Sequence, residues 1–291
     1  MRHQTFNFQR STGSSLKKWL FAFLAFFQLA AFADEPAAKS PWHQIVIIGA
    51  SASAGFVLAE PFGGTNTTDC KLRFYLDAAI TAPHLPLKDF STALMFLNPD
   101  TFSQQQIEAA CAAKPTLVIG VDFLFWSCYG DGLTDAERLQ HFESGLQRLD
   151  QIPCPLVVGD IPDVSSATNS GIISAAQVAD AAVRAAANAR LKAWAAGRPQ
   201  VTIVPLADFM RKISANEAVT VHDLTLPAGK TRVLLQADQL HPTPRGAALL
   251  ALGILDALAA QQPEFSAKNI RWNPKGVFQL GYQDAAHQVR R

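Results

Sequence analysis

The chain of 291 residues carries 25 basic and 24 acidic side chains, for a net charge of +1, and 49% of it is hydrophobic. That length is ample for a buried core in one large domain or two small ones. No run of clustered Lys and Arg is present, which speaks against nucleic-acid binding.

Arg2, Arg10, Lys17 and Lys18 make a basic start free of acidic residues, and residues 19–33 are an uncharged apolar run ending Ala31-Phe32-Ala33. Basic start, apolar run and small-x-small end make a secretory signal peptide over 1–33. The run is shorter than the about 20 residues a comfortable membrane span needs. The competing reading is an uncleaved N-terminal anchor. Cleavage would leave 258 of the 291 residues, starting at Asp34, and loss of the four basic side chains would take the net charge from +1 to −3. A periplasmic or secreted protein with no stable membrane span is therefore expected.

Short apolar runs and helical stretches alternate from there on. Residues 44–49 (QIVIIG), 92–97 (TALMFL), 116–121 (TLVIGV), 155–159 (PLVVG) and 200–204 (QVTIV) read as five strands. None alternates strictly, as expected where both faces are covered. Helices are expected over 71–80, 103–113, 134–149, 174–196 and 244–260. The third opens on Thr-Asp-Ala-Glu, a capping-box pattern, and the fourth is rich in alanine. Strand–helix alternation implies right-handed crossovers and a parallel sheet. Residues 219–235 hold two β-prone runs, VTVHDL and TRVLLQ, around Pro227-Ala228-Gly229-Lys230, which reads as a hairpin. Residues 263–291 form a polar tail with scattered aromatics, either wrapped on the body or partly disordered.

Four cysteines remain: Cys70, Cys111, Cys128 and Cys154. None sits in a CxxC pair, so no zinc cage and no metal site are expected. Disulfides and free thiols are both open.

The first strand ends in Gly49-Ala50-Ser51-Ala52-Ser53-Ala54-Gly55. In an open parallel sheet, ligands bind beyond the carboxyl ends of the strands. A small-residue turn there lets a hydroxyl reach substrate while backbone N–H groups of the next helix face it. Far along the chain, Asp238-Gln239-Leu240-His241-Pro242 precedes the last predicted helix. Serine needs a base, histidine is suited to that role, and a carboxylate can fix its tautomer. One short segment thus supplies base and orienter.

These two segments resemble the first and last motif blocks of the GDSL-type lipases and esterases, the SGNH hydrolases: Gly-Asp-Ser-Leu-Ser-x-Gly and Asp-x-x-His-Pro. The resemblance spans roughly residues 42–260. It implies an α/β fold, a three-layer α/β/α sandwich with a five-stranded parallel sheet of flavodoxin-like type. It also implies a hydrolase domain over 34–262, ester hydrolysis without a cofactor, and Ser51, His241 and Asp238 as the catalytic set. Small-molecule, lipid or carbohydrate esters are the expected substrates. Acetyl transfer to or from an exported polysaccharide, or ligand binding without chemistry, are the alternatives.

The chain departs from the pattern. Ala50 replaces the aspartate of the first block. Pro99, in Asn98-Pro99-Asp100-Thr101, stands where a glycine N–H helps hold the oxyanion, and proline has no N–H. Gly-x-Asn-Asp is expected after the third strand, where the chain reads Asp122-Phe123-Leu124-Phe125-Trp126. Asn98, the Trp126 indole or amides of the 123–126 loop are the substitute donors. Phe125 and Trp126 read as pocket walls or as core, and Asp160 as a turn residue lining the cleft.

Overall fold

Successive side chains of a strand point to opposite sides, so a strand covered on both faces reads as one unbroken apolar run. A computed structural model of the chain describes residues 40–289. The signal peptide expected over 1–33 lies outside the described residues.

β1 (Ile45–Ile47) leads into α1 (Ser51–Ala54), α2 (Thr65–Asp69) and α3 (Leu72–Ala79). β2 (Lys88–Asp89) and α4 (Pro99–Ala112) follow, then β3 (Leu117–Gly120), α5 (Phe125–Cys128) and α6 (Asp135–Leu149). The chain continues through β4 (Leu156–Gly159), α7 (Ala181–Ala196), β5 (Val201–Val204) and α8 (Leu206–Ser214). It ends with β6 (Val219–Val221), β7 (Leu224–Leu226), α9 (Pro244–Gln261) and α10 (Pro274–Val289).

The five-stranded sheet has the order β2-β1-β3-β4-β5, and every pairing in it is parallel. Ile45, Ile47, Leu117, Ile119 and Val157 pack into one core with Leu72, Leu76, Leu252 and Val277. Val46, Ile48, Val118 and Val158 face the other core with Ile107, Phe142, Leu146 and Leu191. The result is the α/β/α sandwich expected from the sequence.

Three expectations need correction. Residues 92–97 are not the second strand: Ala93–Leu97 forms a 3-10 helix, and the Thr92 hydroxyl accepts from the Leu94 N–H. The actual second strand is the two-residue Lys88–Asp89. A short, charged edge strand of this kind blunts edge-to-edge pairing and leaves no apolar signal to read. The helix expected over 174–196 starts at Ala181, where the Asp180 carboxylate accepts from the Val183 N–H. The capping box at Ser174 opens only a 3-10 turn over Ala175–Gln177.

The hairpin turns earlier than Pro227–Lys230 would place it. β6 and β7 pair antiparallel across His222 and Asp223. His222 takes a left-handed φ of 51°, its N–H donates to Asp256 (3.0 Å), and its ring stacks on Trp272 at 4.2 Å. These tertiary partners override the turn chemistry of Pro227 and Gly229.

Residues beyond 262 are part of the same compact unit as the sheet. Ile270 bridges Ile80, and the Arg271 N–H donates to the Ala79 carbonyl (2.8 Å). α10 then docks on α3, with Val277 and Ala285 fully buried. Gly281 permits the close approach: a Cβ there would sit 2.6 Å from the Tyr75 ring.

Candidate active site

The turn that carries Ser51 is built backwards from Gly49, whose φ of 147° lies in the region that favours glycine. A Cβ at that point would lie 2.1 Å from the Asp122 carboxylate. Buried Gln106 of α4 clamps the same residue from behind. Its Oε1 accepts from the Gly49 N–H (2.7 Å), and its Nε2 donates to the Gly49 carbonyl (3.0 Å).

Asp122, at the carboxyl end of β3, holds the front of the turn. One carboxylate oxygen accepts from the N–H groups of Ala52 (2.9 Å) and Ser53 (3.1 Å). The other accepts from the Ser53 hydroxyl (2.6 Å). A carboxylate at a helix N-terminus satisfies otherwise orphaned donors. Ala50, the N-cap residue of α1, has no side chain able to do this, so the cap comes from a different strand. Sequence reasoning missed this role of Asp122. The signal available was its position, third in Gly120-Val121-Asp122, where the resemblance led one to look for asparagine.

The second half of the site is the loop before α9. Gln239 takes a left-handed φ of 59°, which tightens the turn so that Asp238 and His241 face each other. Oδ1 of Asp238 accepts from the N–H groups of Leu240 and His241, each at 3.0 Å. Its Oδ2 lies 2.8 Å from His241 Nδ1. Both residues are 3% exposed. Burial pushes the Asp238 carboxyl up, but the hydrogen bond and charge of His241 and the two backbone donors outweigh it, and the net shift is downward. The carboxylate therefore stays ionised.

The two halves meet. His241 Nε2 lies 2.9 Å from Ser51 Oγ, across 190 residues of sequence. The Phe56 ring packs against the imidazole at 4.6 Å. Gln236 ties the halves together, because its Nε2 donates both to the Phe56 carbonyl (2.8 Å) and to the Pro242 carbonyl (2.9 Å). Gln236 and Gln106 went unread in the sequence, since glutamines in loops and helices carry no motif.

The remaining expected site residues divide. Phe125 lines the cleft that holds Ser51 and His241. Trp126 packs between Phe96 and Phe125, outside that lining, and its buried Nε1 meets no acceptor among the described residues. Asn98 is exposed, also outside the lining, and its carbonyl oxygen caps α4 by accepting from the Thr101 N–H. Asp160 accepts from the Ala207 N–H (2.6 Å) and so caps α8. Its carboxyl is raised by burial. Both side chains are occupied by helix ends, where short polar residues satisfy the first N–H groups. The Ser51 N–H meets no acceptor among the described residues and is free to face an oxyanion.

All four cysteines are free thiols. Burial pushes Cys128 up to about 11, which leaves it protonated and a poor nucleophile.

Gly246, on the first turn of α9, locks the site against its support. A Cβ there would sit 1.9 Å from the Leu234 carbonyl oxygen, which accepts from the Thr243 N–H. Gly246→Ala should therefore cost about 1–3 kcal/mol by overpacking, read as a lowered denaturant midpoint.

No protein-family profile matches the chain, and neither does any curated protein. Among solved structures, a lipase/acylhydrolase from Enterococcus faecalis is 15% identical, covering 75% of this chain and 96% of its own, with a TM-score of 0.48. A protein of Bacteroides fragilis NCTC 9343, provisionally called an acylhydrolase, is 16% identical over 80% of this chain and 93% of its own, with a TM-score of 0.45. At these identities and TM-scores the two likenesses carry no argument about this chain.

Proposed function

We propose that the protein is an exported serine ester hydrolase that works through an acyl-serine intermediate. The observation that carries this reading is the continuous Asp238–His241–Ser51 relay, with 2.8 and 2.9 Å between its members. Asp238 accepts a hydrogen bond from the ring's Nδ1–H and so keeps the proton on that nitrogen, which leaves Nε2 as an acceptor for the Ser51 proton. Ser51 Oγ attacks the carbonyl carbon of the ester, and Nε2 gives the proton to the departing alcohol oxygen. Water, deprotonated by the same nitrogen, then releases the acid. The Ser51 N–H supports the oxyanion in both steps. Asp122 acts at one remove, keeping Ser51 on the turn by holding Ala52 and Ser53. Export rests on the N-terminal sequence pattern alone.

An intact, buried relay favours catalysis over binding without chemistry. Of the side chains lining the cleft, only Ser51, Asp122 and His241 are polar. That favours an ester with an apolar part over a polysaccharide substrate.

The test is a fluorophosphonate probe on the chain starting at Asp34, followed by peptide mapping. The expected result is stoichiometric phosphonylation of Ser51 together with turnover of p-nitrophenyl butyrate. Absence of both would remove the hydrolase reading.

A further inference from the structure

We infer that the site takes an ester through an apolar acyl chain, and that Leu234 and Leu249 form the wall that sets the length of that chain. This rests on the proposed hydrolase reading and goes beyond it to the substrate class.

The cleft that Ser51 and His241 line has a volume of about 80 Å³. Phe209, Met210 and Ile213 of α8 and Leu249 and Leu250 of α9 are part of its lining. An acyl group attached to Ser51 meets no hydrogen-bonding side chain there once it passes Asp122. Such a lining binds methylene groups through loss of water-exposed apolar area and rejects hydroxyl-rich groups, whose hydrogen bonds with water would go unreplaced.

A second cavity of about 650 Å³ adjoins it, lined by Leu224, Leu226, Val233 and Phe278 and rimmed by polar side chains such as Arg245 and Lys275. Leu234 and Leu249 line both spaces. They are the partition between a narrow cleft and a roomier groove. The backbone on one side of the partition cannot retreat, because Gly246 already packs against the Leu234 carbonyl with no room for a methyl group. Side-chain size at Leu234 and Leu249 is therefore the variable that decides where an acyl chain stops. Leu249 stands three residues after Gly246 on the same helical face and is only half-buried, so it is the partition residue that tolerates substitution.

The experiment measures kcat/KM for p-nitrophenyl esters from acetate to dodecanoate, and for a matched series of alkyl acetates, on the wild type, Leu249→Ala and Leu249→Phe. Thermal melts check that each variant folds. Each buried methylene should raise kcat/KM roughly fourfold. The wild type should therefore rise at least about tenfold above acetate to a maximum and then fall. Leu249→Ala should move the maximum to longer acyl chains and Leu249→Phe to shorter ones. The two opposed shifts keep the test decisive if one variant fails to fold. An active enzyme that prefers acetate, a maximum unmoved by the folded variants, or a length dependence found only in the alcohol series would overturn the inference and leave the hydrolase reading standing. No turnover at any length, with Ser51 unlabelled by phosphonate, would sink the hydrolase reading and this inference with it.

Discussion

Ser51→Ala should lower kcat for a p-nitrophenyl ester by about a millionfold, the cost seen when a nucleophile is removed from a serine relay. Among the described residues the one side chain its hydroxyl hydrogen-bonds is His241, at 2.9 Å, and the turn carrying it is held through Gly49, Ala52 and Ser53 instead. Loss of the oxygen therefore removes the chemistry and leaves the scaffold in place. The far-UV spectrum and melting midpoint should stay near those of the wild type. Residual hydrolysis, roughly a thousandfold above water or more, should persist because the cleft and the oxyanion donor remain. Turnover at the wild-type level would assign the nucleophile elsewhere.

Asp238→Asn should lower kcat by about ten-thousandfold with little change in overall structure. The carboxamide can still accept from the Leu240 and His241 N–H groups through its oxygen. Its NH2 then faces His241 Nδ1, where the carboxylate oxygen stood 2.8 Å away. A donor in that place forces the ring proton onto Nε2, which can no longer accept from Ser51. The same substitution has a readout in stability. A carboxyl with a lowered folded-state pKa contributes stability that is present above its unfolded value and lost as pH falls through the folded one. The gap in unfolding free energy between wild type and Asp238→Asn should therefore be widest near neutral pH and narrow in strong acid. A gap independent of pH would mean that the carboxylate charge is not what His241 feels.

The relay was legible because each half is a local pattern at a place the topology makes special. Ser51 follows the first strand and His241 precedes the helix α9. The strands of the interior could be read from runs such as QIVIIG and PLVVG, whose two faces both need cover. What could not be read is instructive. Lys88–Asp89 completes the sheet with two charged residues, and nothing in its composition marks a strand. Asn98 looked like an oxyanion donor and Asp160 like a cleft residue, yet each is used to cap a helix, because an N-terminal turn exposes donors that any nearby short polar side chain will satisfy. Asp122 is the converse case. Its role depends on which strand lies beside β1, a pairing that local sequence does not reveal.

The docking of α10 on α3 has a consequence for how the molecule comes into being. α3 finds part of its cover in residues distant along the chain, through the Ile80–Ile270 bridge and the Gly281–Tyr75 contact. Leu72 and Leu76 also lie against the sheet and against Leu252 of α9, but the cover that α10 adds requires loop closure across nearly two hundred residues. A chain cut before Pro274 would keep the Ile80–Ile270 bridge yet lose Val277 and Ala285 from the core, leaving the α10-facing side of α3 open to chaperones and proteases.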